Sequence, residues 1–94
     1  MAKPEVRARI RVFGRVQGVF FRQNALRYAM KIGIRGYIRN LEDGSLEAVY
    51  QGPKDKVDQM LQWTKRGPPY AFVSSYRIRW ENPADDFSAF EVMY

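Results

Sequence analysis

Polar and apolar residues alternate over residues 7–13. Ala8, Ile10 and Val12 share one side, and Arg7, Arg9 and Arg11 the other. A period of two is that of a strand buried on one face only, and Gly14 closes it. Residues 14–21 contain two glycines and read as a loop. From about Arg22 to Ile32 the period becomes helical. Ala25, Tyr28, Ala29 and Ile32 fall on one stripe, Leu26 and Met30 widen it, and Gly33 suits the C-terminus. Residues 37–40 form a short strand, and Glu42-Asp43-Gly44-Ser45 a turn, Asp-Gly between apolar runs being a strong hairpin signal. Residues 46–50 return, and Gly52 ends them. Pro53 opens a second helix, where its missing N–H costs nothing. Val57, Met60, Leu61 and Thr64 form the inner stripe of that helix. Asp55 sits in its first turn and Lys65 and Arg66 in its last, as the helix dipole favours. Gly67-Pro68-Pro69 stops it. Residues 71–80 make a fourth strand, with Tyr76, Ile78 and Trp80 alternating with Arg77 and Arg79. Residues 82–86 are a loop, and residues 87–93 a candidate short last strand.

The order β-α-β-β-α-β is the split βαβ, ferredoxin-like arrangement of the α+β class: an antiparallel sheet with two helices on one face, here with a candidate fifth C-terminal strand. Ninety-four residues are enough for one core and too few for two, so residues 1–94 form a single domain, with residues 1–6 expected as a loose N-terminal tail. The fold order by itself assigns no function.

Composition narrows the chemistry. The chain has no cysteine and no histidine. Disulfides, a thiolate nucleophile and a thiolate metal site are excluded. So is the commonest general acid–base side chain at neutral pH. The net charge of +6 favours anionic partners or reflects only a basic, soluble surface. No apolar run approaches the roughly 20 residues that span a bilayer, and the charged start has no apolar stretch behind it. The expectation is a cytoplasmic protein with no membrane partner. Asp85 and Asp86 lack further ligands and read as a solvated loop rather than a metal site. The Arg7, Arg9, Arg11, Arg77 and Arg79 stripe reads as a solvated sheet face that Glu47 partly neutralises.

The 14–21 loop is the place where chemistry concentrates. A strand, a glycine loop and a helix in sequence gather backbone N–H groups at the positive end of a helix dipole, which is an anion cradle. Gly14 and Gly18 permit the backbone angles a cradle requires, although an ordinary turn uses glycine in the same way. Arg22 follows, with a guanidinium that grips two phosphate oxygens in a fixed fork and stays charged at any working pH. Asn40, before the hairpin turn, reads by itself first as a residue capping that turn.

The string Gly14-Arg15-Val16-Gln17-Gly18-Val19-Phe20-Phe21-Arg22 closely resembles the signature G-x-V-Q-G-V-x-F-R of the acylphosphatase family. Gly36-Tyr37-Ile38-Arg39-Asn40, with Gly44 and Gly52 beyond it, resembles a second segment of that family, and so does Gly67-Pro68-Pro69. The likeness runs from about residue 7 to residue 93. Departures are small: Leu46 where valine is usual, Leu41 after the asparagine, and Phe20 at a variable position beside the loop.

The resemblance implies an enzyme that hydrolyses small acyl phosphates to a carboxylate and inorganic phosphate. In it Arg22 binds the phosphate, Asn40 positions the attacking water, and the amides of Val16, Gln17, Gly18, Val19, Phe20 and Phe21 complete the cradle. The missing histidine fits that reaction. An acyl phosphate expels a carboxylate whose parent acid has a pKa of about 4, so the leaving group departs without a proton. Phosphoryl transfer of this kind is mainly positioning and charge stabilisation. The expected enzyme needs no metal or cofactor, is inhibited by its product phosphate, and is a monomer. Two other classes share the element order: a basic RNA-binding module, and a non-catalytic phosphate sensor. The third-strand stretch Ser45-Leu46-Glu47-Ala48-Val49-Tyr50-Gln51 lacks the aromatic RNA-binding consensus and carries Glu47, which repels phosphates. Nucleic acid is therefore the disfavoured partner, and an intact Arg22 and Asn40 pair speaks against the sensor.

Overall fold

The computed structural model describes residues 4–94. Seven elements follow in order: β1 (Glu5–Arg15), α1 (Phe21–Ile32), β2 (Arg35–Asn40), β3 (Leu46–Pro53), α2 (Lys54–Arg66), β4 (Phe72–Glu81) and β5 (Phe90–Met93). The strands form one sheet in the order β4-β1-β3-β2-β5. The expected ferredoxin-like order is present. The sheet is mixed rather than purely antiparallel, because β5 runs parallel to β2, with Phe90 opposite Gly36. The chain leaves β4 at one end of the sheet, and its return segment docks there, where the Ala84 carbonyl accepts from Gln51 at 2.7 Å. Re-entering from that end, β5 must run in the direction of β2.

Alternation along β1 sorts the residues as the pattern requires. Ala8, Ile10 and Val12 are fully buried against the helices, with Ile38, Leu46, Ala48 and Tyr50 from the neighbouring strands. From α2 come Val57, Met60, Leu61 and Thr64. From α1 come Phe21, Ala25 and Ala29. Met30 does not widen that stripe. It is 70% exposed, because the sheet reaches only the narrow face centred on Ala25 and Ala29. Tyr50 keeps its hydroxyl satisfied inside the core by sharing a 2.7 Å hydrogen bond with Thr64.

Element ends differ from the pattern by one to three residues. β1 begins at Glu5, which pairs with Pro53, so Glu5 and Val6 belong to the sheet; of the expected N-terminal tail, residues 1–3 lie outside the described residues. Pro53 ends β3 instead of opening α2, since its ψ of 143° is extended and the helix starts at Lys54. At its other end β1 continues past Gly14 to Arg15 through a register shift between Phe13 and Gly14.

The face away from the helices is a layer of ion pairs. Arg9 reaches Glu81 at 2.8 Å and Glu47 at 3.1 Å, and also donates to the Tyr37 hydroxyl at 3.0 Å. Arg7 pairs with Asp86, Arg11 with Asp43, and Arg39 with Glu47. The hydrogen bond from Arg9 holds the Glu81 carboxyl below its ordinary value of 4.5. Burial works against ionisation of Glu47, but the hydrogen bond from Tyr37 and the charges of Arg9 and Arg39 outweigh it, and its pKa is also lowered. A carboxyl with a depressed folded pKa adds stability that is complete above its unfolded value and is lost as the pH falls through the folded one. The thermal midpoint should therefore be level from neutral pH down to about 5 and fall progressively below about 4.5. Glu81→Gln should make that acid fall shallower in a calorimetric pH series. An equally steep fall would place the acid sensitivity in other carboxylates.

Candidate functional site

The segment between β1 and α1 is shaped by two glycines and one phenylalanine. At Gly14 φ is 122°, and an added Cβ would stand 2.2 Å from the Phe72 carbonyl oxygen, so only glycine lets β1 bulge against β4 here. Gly18 has φ of 73°, in the left-handed region that glycine enters freely. Phe20 also has a positive φ, 62°, the one non-glycine residue to do so among the described residues. That backbone costs a residue with a side chain roughly 1–2 kcal/mol. It is held in place because the Phe20 carbonyl accepts from both the backbone N–H of Asn24 at 3.1 Å and its side-chain amide at 2.8 Å.

α1 then starts with no side-chain cap and no acidic residue in its first turn. The N–H groups of a helix's first turn have no partners within the helix, and the dipole places partial positive charge there. Among the described residues, none of the amides of residues 16–20 donates to a backbone carbonyl either. The start of α1 is braced from below by Phe21, which is buried and meets Trp63 of α2 edge-on at 5.4 Å. Gly67 lies so close that a Cβ there would approach the Phe21 ring to 2.9 Å. The Gly67-Pro68-Pro69 string thus ends α2 and leaves room for Phe21.

Gln17 joins this loop to the β2–β3 hairpin. Its side-chain amide nitrogen donates to the carbonyls of Leu41 at 2.8 Å and Ser45 at 2.9 Å. The hairpin is stiffened in turn by the Leu41 N–H donating to the Ser45 carbonyl at 2.8 Å. These bonds bring Asn40, the last residue of β2, beside the loop.

A cleft of about 220 Å³ results, lined by Val16, Gly18, Phe20, Phe21, Arg22, Gln23, Asn40 and Tyr94. Six of the eight positions proposed from the sequence meet there. The side chains of the other two turn away: Gln17 serves the hairpin, and Val19 packs on the edge of the core. Gln23 and Tyr94 were not anticipated. Gln23 carries the signal of its place in the first turn after the loop. Tyr94 carries none, since only the pairing of β5 beside β2 brings it near.

Two polar groups in the cleft are unspent. Among the arginines that are not fully exposed, Arg7, Arg9, Arg11 and Arg35 each pair with a carboxylate. Arg22 pairs with none among the described residues, and its guanidinium lies over the Tyr94 ring, 4.8 Å from the centroid. The side-chain oxygen Oδ1 of Asn40 is buried and finds no partner among the described residues. Asn40 therefore does not act as a turn cap through that oxygen. Asp43 does, accepting from the Ser45 N–H at 2.9 Å. A cation without a counter-charge, free amides and an unpaired acceptor in one cleft suit an anion and a donor such as water.

Elsewhere, no three His, Cys, Asp or Glu side chains cluster as a metal site requires among the described residues. The outward positions of β1 and β3, where an RNA-binding sheet carries stacking aromatics, hold Arg7, Arg9, Arg11, Glu47, Val49 and Gln51, and the aromatic Phe13 beyond them has its ring covered by Arg11 and Arg77. Their charges are engaged in the ion-pair layer. No helix is long and apolar enough to cross a membrane among the described residues.

Comparison with known proteins identifies the family. The acylphosphatase family matches residues 8–92. An acylphosphatase of Roseiflexus sp. (strain RS-1) is 42% identical over 88 residues, covering 94% of this chain and 95% of that one. One from Thermococcus kodakarensis is 46% identical over 78 residues, 83% of this chain and 86% of the other. The crystal structure of acylphosphatase from Bacillus subtilis superposes with a TM-score of 0.89 at 29% identity, over 95% of this chain and 99% of that one. With a loop, an arginine and an asparagine meeting in one cleft and a match that runs through both helices and all five strands, the chain belongs to the acylphosphatase family.

Proposed function

We propose that the cleft between the 14–21 loop and Asn40 is where this acylphosphatase hydrolyses small acyl phosphates to a carboxylate and inorganic phosphate. The observation that carries the reading is the buried, unpartnered Asn40 Oδ1 in the same cleft as the uncompensated Arg22. The substrate's phosphoryl group sits against the start of α1. Two of its oxygens take the Arg22 fork, and the amides of residues 16–21 receive the third together with the helix dipole. Asn40 Oδ1 accepts a hydrogen bond from a water and aims its lone pair at phosphorus, opposite the bond to the acyl oxygen. The water oxygen bonds to phosphorus, the P–O bond to the acyl group breaks, and the pair leaves on the carboxylate. The water's proton passes to a phosphoryl oxygen of the substrate itself. No step calls on a side-chain acid, a metal or a cofactor. A monomeric enzyme in a cytoplasmic setting is part of the same reading.

The assay is release of phosphate from benzoyl phosphate in chelator-treated buffer. Turnover without added metal and competitive inhibition by inorganic phosphate are expected; a strict metal requirement would overturn the mechanism. Arg22→Gln should lower kcat/KM by on the order of 100- to 1000-fold, because the transition-state charge loses its main donor. Arg22→Lys keeps the charge and loses the fork, so it should recover only part of that loss. Asn40→Ala should cost on the order of 100-fold or more, mostly in kcat, as the water loses its orientation. Circular dichroism should be unchanged in all three. An active Asn40→Ala enzyme would show that the water is held by another group.

A further inference from the structure

The floor of the cleft accounts for phosphate and water and leaves the acyl group without a site. At about 220 Å³ the cleft is smaller than the roughly 300 Å³ at which pockets begin to enclose a drug-sized ligand. With the phosphoryl group at the Arg22 end, the acyl group must lie at the mouth. Two aromatic side chains stand there. Phe20 is 65% exposed and Tyr94 95% exposed, yet both line the cleft. Phe20 is also the residue held in a left-handed backbone by two hydrogen bonds from Asn24. A phenylalanine kept in a costly conformation, with its ring in solvent, gains nothing for the core. Strained residues of this kind persist where a side chain must be aimed at a ligand. The contact of its ring with the Arg22 guanidinium, 4.8 Å from the centroid, keeps Tyr94 beside the cleft. Among the described residues Arg22 carries the only charged side chain of the lining, and the phosphoryl group uses it. An acyl group with a charge of its own finds no counter-charge there.

We infer that Phe20 and Tyr94 form an apolar rim that binds the acyl group, so that this enzyme selects aryl and other apolar acyl phosphates over small or charged ones. The selection rests on the phosphate site proposed above and adds to it a side-chain role for Phe20 and a role for Tyr94. An aromatic acyl group stacks or meets edge-on with the two rings, whereas an acetyl group reaches neither. The contact is the same before and during phosphoryl transfer, so it lowers KM and leaves kcat largely alone.

The test compares kcat/KM for benzoyl phosphate and acetyl phosphate in the unsubstituted enzyme, Phe20→Asn and Tyr94→Ala. Asparagine accepts the left-handed backbone, so Phe20→Asn removes the ring and keeps the loop. The intrinsic reactivities of the two anhydrides cancel when each variant's ratio is divided by that of the unsubstituted enzyme. That ratio should fall about three- to tenfold in Phe20→Asn, and in the same direction in Tyr94→Ala, through a higher KM for benzoyl phosphate. A ratio within about twofold of the unsubstituted enzyme in both variants overturns the rim, including the case in which both substrates slow together. If the unsubstituted enzyme turns over neither substrate, the phosphate site itself is misassigned, and the two failures are distinguished.

Discussion

One side-chain amide holds the site together. Gln17 donates two hydrogen bonds to carbonyls of the β2–β3 hairpin, Leu41 and Ser45, and so ties the loop before α1 to the strand that ends in Asn40. The loop offers positive charge and free amides, and the strand offers an acceptor. Neither part is a site alone. Both ends of the link are stiff: α1 is seated by Phe21 on Trp63, and the hairpin by its own backbone bonds and by Asp43 on Ser45. A cleft built this way is set before substrate arrives, which is what a reaction dependent on positioning requires.

The sheet face away from the helices pairs its arginines with carboxylates, and the cleft does not. Arg7, Arg9, Arg11, Arg35 and Arg39 are matched by carboxylates, and Glu47 alone serves two of them. Arg22 is left without one, and Asn40 keeps a buried oxygen unpaired. The buried Asn40 oxygen lowers stability, since a desolvated polar group without a partner is costly. Phe20 adds backbone strain a few residues away. Stability is thus given up around one small cleft, while the ion-pair layer on the opposite face of the sheet is fully engaged.

Much of this was legible in the linear pattern, and the exceptions have physical causes. The stripe Val57, Met60, Leu61 and Thr64 is buried as its spacing requires, because α2 lies along the sheet for its whole length. Met30 fits the stripe of α1 equally well and is exposed, because periodicity gives direction around a helix and not the width of the surface that covers it. The fifth strand was visible as an apolar segment, but its parallel pairing with β2 was not, since strand direction depends on where the preceding loop docks. Pro53 satisfied a helix-start rule and yet ends a strand, because the ladder with β1 reaches that far.

The sequence by itself determined the order of elements, the glycine loop with its arginine, and a chemistry that works without histidine or cysteine, because these depend on residue type and local spacing. Only the tertiary structure decided that Gln17 is a tie rather than part of the lining, that the Asn40 oxygen is unpartnered, and that Tyr94 stands beside Arg22. Those facts join residues 17 with 45, 22 with 40, and 22 with 94, separations at which no local pattern operates. The glycine loop was an anion cradle on paper; the fold gave it a partner strand and an aromatic mouth.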